Sequence, residues 1–296
     1  MGTIIKSIAF TRPIIGKGIV WLSSKAARHS LKKAGLLFDD IGIMINAGVY
    51  NESHLREPAV SALIQNQLET SGKRGKIVLR ESGGAYSFDM HNGGGGGLNA
   101  LQVIDGFIQS GKIDDGLVVA GDSTPKFGKS VNYNYLSGAS AAVLSKGSGS
   151  GGFKNFKTET YPEYLSDFES TITWKSDKFY FNIDQKENYL QHCVQCAERS
   201  IYNFLEEEDL VLEKIDLILT SQSPPDFARE LKRQPGMGKT LVLNGEKHFY
   251  SSGIFYALSK VFSNGKFKSA RNILFVTVGA GITVTTALYL NEGYRQ

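Results

Sequence analysis

Cysteine is nearly absent from these 296 residues, with two in all. Two cysteines leave no room for a disulfide framework and point to a reducing compartment, read here as the cytoplasm. They occur as His192-Cys193-x-x-Cys196, and no second cysteine pair completes the four ligands of a structural zinc. A redox pair would sit at a helix start, whereas this one lies inside a predicted helix, so core packing is the expected role. No long tract of one charge exists either, and the net charge of only +4 implies no nucleic-acid partner. The opening MGTIIKSIAFTRP lacks the apolar core of a signal peptide. The longest uncharged run, Ile273–Leu290, is rich in β-branched residues and broken by Gly279 and Gly281. Two buried strands around a Gly-Ala-Gly turn are expected there, not a membrane span.

What is present suits a soluble globular chain with a sizeable core, since 41% of residues are hydrophobic and 21% charged. The most unusual stretch is FDMHNGGGGGLNAL, Phe88 to Leu101, with five consecutive glycines from Gly93 to Gly97. Glycine loses the most backbone entropy on folding. Such a run fits where the chain turns sharply, packs closely and exposes the N–H groups of a helix start, a place suited to an anion or a polarised carbonyl. Packing alone and a retained oxyanion pocket are both open readings. The run is neither a dinucleotide fingerprint, because Leu98, Asn99 and Ala100 fill the last glycine position of each register, nor a Gly-Lys-Ser/Thr phosphate loop. No cofactor and no metal is implied.

In chain order the pattern predicts a strand over Thr3–Phe10 and a helix over Trp21–Ala34 ending at Gly35. A buried strand in DDIGIMINAGV and a helix over Glu57–Leu68 follow. A polar region with a short strand, KIVLR, carries Lys73, Arg74, Lys76 and Arg80. Next come the glycine turn, its helix to about Ile108, a strand ending near Asp122 and a small-residue strand in LSGASAAVLS. Residues 154–182 show only local strand-like alternation. Helical spacing covers Ile183 to about Phe204, a strand lies in IDLILTSQS, a helix ends near Phe262, and two strands close the chain. Two stretches repeat: residues from about 31 match those from about 204, and Phe88–Asp122 matches Gly245–Ala280. A duplicated α/β fold follows, with halves at 1–150 and 151–296 forming one unit.

These stretches, in this order, resemble the thiolase superfamily and its β-ketoacyl-ACP synthase III branch. FDMHNGGGGGLNALQV is similar to that family's nucleophile turn and central helix. GLVVAGDS and SGASAAVLS are similar to its following strands. IDLILTSQS is similar to the strand bearing its histidine, HFYSSGIFYAL to the turn bearing its asparagine, and VGAGITVTTALYL to its C-terminal glycine turn. The resemblance implies a thiolase-like αβαβα fold, and a dimer, with itself or with a ketosynthase paralogue, whose interface lies beside the glycine turn. Family chemistry needs a cysteine acyl acceptor at the helix start, with histidine and asparagine as donors. Matched residue by residue, those positions fall on Gly94, Ser221 and His248, with Gly279 and Gly281 in the backbone oxyanion turn. The family's Trp- and Arg-bearing segment for the coenzyme A nucleotide has no counterpart.

Two functions follow as expectations. One is a non-condensing ketosynthase III-like partner subunit, a pseudoenzyme of fatty acid or polyketide-type acyl metabolism. Acyl carrier protein would dock on Lys73, Arg74 and Lys76. The other is an acyl-thioester hydrolase or acyltransferase without a covalent cysteine, using His91, His248 or Ser221, with Asp89 or Glu246 as supporting acid.

Overall fold

The computed structural model describes residues 2–53, 55, 57–70, 84–123, 135–175, 177–237, 241–243 and 247–292. Lys73, Arg74, Lys76, Arg80, the KIVLR strand and Glu246 lie outside them.

Each half builds one five-stranded sheet. The first holds β1 (Thr3–Thr11), β2 (Ile43–Asn46), β3 (Tyr86–Asp89), β4 (Asp115–Asp122) and β5 (Gly138–Lys146), in the order β1-β5-β4-β2-β3. The second holds β6 (Gly152–Thr160), β9 (Leu217–Thr220), β10 (Leu241–Leu243), β11 (Asn272–Gly279) and β12 (Thr283–Leu290), in the order β10-β9-β11-β12-β6. The two orders superimpose if β1 corresponds to β6, β5 to β12, β4 to β11, β2 to β9 and β3 to β10. Strand directions agree as well: β2 is parallel to β3 and β4, as β9 is to β10 and β11, while β5 and β12 run antiparallel to their neighbours. The repeat seen in the sequence is therefore a repeat of topology.

Alternation along the strands explains the layering. On β2 and β4, Ile43, Ile45, Val118 and Ala120 face one core while Met44, Leu117 and Val119 face another. Strands buried on both faces read as continuous apolar runs, which is why the sequence announced them. The shared inner core takes helices α3 (Gly96–Gln109) and α6 (Gly253–Ser263) between the two sheets. Helices α1 (Ile19–Ala34) and α2 (Val60–Thr70) cover the outer face of the first sheet. Helices α4 (Tyr189–Glu207) and α5 (Phe227–Lys232) cover that of the second. The result is the expected αβαβα stack, and β11 and β12 are the two strands expected in 273–290. Among the described residues no helix is long and apolar enough to cross a membrane.

Two predicted boundaries move. Helical spacing was expected from Ile183, but residues 183–185 finish an antiparallel hairpin, β7 (Phe168–Lys175) with β8 (Lys178–Gln185). Phe181 there is buried against Tyr50, ring centroids 4.7 Å apart, so its burial follows strand alternation. Helix α2 starts at Val60, not Glu57, because the Asp89 carboxylate accepts from the N–H groups of Val60 and Ser61 at 2.9 and 2.8 Å and caps the helix there.

Candidate functional site

Close packing fully occupies the glycine turn. A tight 3-10 turn over Gly93–Gly95 leads directly into α3, and Gly93 has φ +50, a left-handed conformation that favours glycine. A Cβ on Gly93 would stand 2.9 Å from the Tyr250 hydroxyl, and one on Gly95 would stand 3.2 Å from the Gly279 N. On Gly97 it would meet the Phe255 ring at 2.9 Å. At Gly94 the obstacle is Ser223, whose Oγ and Cβ would lie 2.7 and 2.8 Å away, with the Val278 O at 3.0 Å. The packing demand on the run is thus direct, because the end of β11 and the loop after β9 both press onto it.

Beside this turn opens a cavity of about 240 Å3. Phe168, Ile183 and Asp184 of the β7–β8 hairpin wall one side. Ser223, Pro224 and Pro225 supply another, and His248 and Tyr250, just ahead of α6, close it. Tyr135 also lines it, and Tyr50, Tyr135 and Tyr250 stack mutually there, with centroids 5.1 to 5.5 Å apart. Burial holds the Tyr250 phenol well above its usual value, so it stays a proton donor.

The expected site residues separate on this geometry. His248 lines the cavity. Ser221 is fully buried but does not line it, and its hydroxyl accepts from Ser223 N–H at 3.4 Å. His91 is exposed and faces a different, narrow crevice with Asn46, Val60 and Asp89. The expected His91–Ser221–His248 grouping is therefore not formed in one cavity. Asp89 is committed to capping α2 and also accepts from Asn46 Nδ2 at 3.1 Å. Gly279 packs on Gly95, and a Cβ there would run into the Asn92 side chain. Gly281, at φ +86, faces Leu165 instead. Cys193 and Cys196 are buried inside α4, where burial raises both thiols, Cys196 to about 12. Among the described residues no group of three or more His, Cys, Asp or Glu side chains could hold a metal.

Sequence reasoning missed two residues. Asp122, at the end of β4, is buried. Its Oδ1 accepts from the N–H groups of Val49 and Tyr50 at 3.0 and 2.9 Å. Oδ2 accepts from the Ser251 N–H at 2.8 Å and the Ser251 hydroxyl at 2.5 Å. Burial raises its pKa while these four bonds oppose the rise. It ties the first sheet to the turn before α6, and an acid closing the apolar run GLVVAGD was the available signal. Ser223 was missed because its place depends on the path of the chain past β9, which spacing does not reveal.

The family model for 3-oxoacyl-[acyl-carrier-protein (ACP)] synthase III matches residues 88–162, which begin just before the glycine turn. A β-ketoacyl-[acyl-carrier-protein] synthase III of Clostridium perfringens is 23% identical over 286 residues, covering 90% of this chain and 83% of that protein. One of Aquifex aeolicus is 24% identical over 275 residues, covering 90% and 82%. This chain is similar to the ketosynthase III branch of the thiolase superfamily. Solved structures agree on the fold of this ketosynthase III-like protein. Cerulenin-bound OleA of Xanthomonas campestris gives a TM-score of 0.79 at 15% identity, over 98% of this chain and 97% of that one. FabH, the 3-oxoacyl-(acyl carrier protein) synthase III of Xanthomonas oryzae, gives 0.78 at 14%, over 98% and 99%.

Proposed function

We propose that this ketosynthase III-like protein is a cytoplasmic, non-condensing partner subunit of an active ketosynthase in fatty acid or polyketide-type acyl metabolism. In this reading Gly94, Ser221 and His248 stand where the family's cysteine, histidine and asparagine would be. The observation that carries it is the fit at Gly94: Ser223 fills the space a side chain there would need. A glycine cannot accept an acyl group, and the Claisen route through an acyl-cysteine has no acceptor. Pairing is supported by β3, the edge strand of the first sheet among the described residues, which leads into the glycine turn and exposes Tyr86. Carrier docking at Lys73, Arg74 and Lys76 belongs to the same proposal.

Native mass spectrometry of the tagged chain, purified gently from its own host, tests this. A stable complex with a second ketosynthase-like chain carrying an intact Cys-His-Asn set is expected. Condensation of an acyl thioester with a malonyl thioester by the purified chain alone would overturn the reading, as would recovery of the chain only with itself.

A further inference from the structure

Ser223 is 5% exposed, lines the cavity and makes no side-chain hydrogen bond among the described residues. Its hydroxyl points at the start of the central helix, 2.7 Å from the Cβ position of Gly94. A buried hydroxyl normally finds a partner; this one is directed at a helix start and an open cavity instead. His248 lines the same cavity, and the Tyr250 hydroxyl stands on the same turn, 2.9 Å from the Cβ position of Gly93.

From this we infer that Ser223 is a nucleophile delivered to the glycine turn from the opposite half of the molecule, and that the cavity hydrolyses short acyl thioesters. In the first step the Ser223 Oγ attacks the thioester carbonyl while His248 takes the hydroxyl proton. The C–S bond breaks, and the thiolate leaves with that proton as a free thiol. In the second step a water molecule attacks the acyl-serine ester and His248 takes its proton. The ester C–O bond breaks, Ser223 recovers its proton, and a carboxylic acid departs. The sum is thioester plus water giving acid plus thiol. Tyr250, held protonated by burial, donates to the carbonyl oxygen as it gains charge. At about 240 Å3 the cavity is smaller than the roughly 300–1,000 Å3 of pockets for drug-sized ligands, which selects a short acyl group. This activity rests on the part of the proposed function that places the protein in acyl metabolism. It does not depend on a partner chain.

Two readouts test it on the full chain. A fluorophosphonate probe, which needs no thioester binding, is expected to add one mass increment to the wild type, mapped by fragmentation to Ser223. Ser223→Ala is expected to abolish the adduct, and His248→Ala to slow its formation. Thiol release from butyryl-N-acetylcysteamine is expected to fall by about 100-fold or more in Ser223→Ala, with an unchanged circular dichroism spectrum. An unlabelled wild type, or an adduct on any other residue, overturns the assignment, and mapping on the wild type decides this even if the variant misfolds. Labelling at Ser223 without thioester turnover keeps the nucleophile and removes the thioester substrate, which separates this inference from the proposed function.

Discussion

Ser223 and Gly94 exclude one another's side chains: a Cβ at position 94 would come within 2.8 Å of the Ser223 Cβ as well as 2.7 Å of its Oγ. Because the nearer obstacle includes a main-chain-anchored carbon, rotating the serine does not clear it. Gly94→Cys is therefore expected to destabilise the fold by ~1–3 kcal/mol, the usual cost of overpacking, and to gain no condensing activity. Ser223→Ala leaves the Cβ in place and should not rescue it, whereas Ser223→Gly should recover part of the loss, the Val278 O at 3.0 Å remaining. Chemical denaturation of the four corners of a Gly94→Cys/Ser223→Gly cycle checks this, with an expected coupling of about 1 kcal/mol or more. Additive effects would mean the two positions do not compete for space.

Helix α3 contains its own control. Gly97 sits where a Cβ would meet Phe255 at 2.9 Å and Ile254 at 3.2 Å, while Gly106 has nothing within 4 Å. Alanine at Gly106 removes a helix-interior glycine without cost in packing and is expected to stabilise by ~0.5–1 kcal/mol. Alanine at Gly97 gains the same helix propensity but drives two inner-layer helices apart, and a net loss of ~1–3 kcal/mol is expected. Opposite signs of the change in Tm for the two variants are the result to look for. A common sign would remove close packing as the reason for the run.

Legibility in the sequence followed burial. Strands β2, β4, β9 and β11 are enclosed on both faces, so their apolar runs stood out, and the two matching sequence repeats became two sheets of the same order. The β7–β8 hairpin was opaque because its alternation is short, and Ile183 happens to continue the spacing of Tyr189 and Leu190 at the start of α4. In the site, the glycine run was found because five glycines demand an explanation. Ser221 is the serine the sequence points to because it holds the matched position. Only the three-dimensional path after β9 shows that the hydroxyl reaching the turn belongs to the residue two places later.

Asp122 presents acceptors only, and all four of its partners donate. Asp122→Asn keeps the two bonds from Val49 and Tyr50 on one oxygen but turns an amide donor toward the Ser251 N–H. The resulting unsatisfied buried donor is expected to cost about 1–3 kcal/mol. Ser251→Ala loses only the hydroxyl bond and is expected to cost about 1 kcal/mol. Burial raises the Asp122 pKa in the folded state, so this group's contribution falls as pH rises from the ordinary carboxylate value toward the raised one. Urea denaturation should rank wild type above Ser251→Ala above Asp122→Asn, and a neutral Asp122→Asn would show that desolvation of the charge outweighs its bonds.

Asp167 has the opposite electrostatics. Its carboxylate meets the His192 Nδ1 at 2.5 Å and the Lys186 ammonium at 3.4 Å, while Tyr164 stacks on the His192 ring at 4.3 Å and holds it in place. The His192 bond, and then Lys186, hold the Asp167 carboxyl below its ordinary value near 3.8. A depressed folded pKa means that the stabilisation is complete above the unfolded value, and disappears as pH falls from there through the folded value. Asp167→Asn is therefore expected to lower stability by about 1–2 kcal/mol at pH 7, the range of a charge-assisted bond. The gap to wild type should narrow as pH falls below the ordinary carboxylate value. Denaturation curves at pH 7, 5 and 3 measure it. A gap independent of pH would assign the loss to packing of the hairpin base rather than to the ion pair, because packing does not titrate.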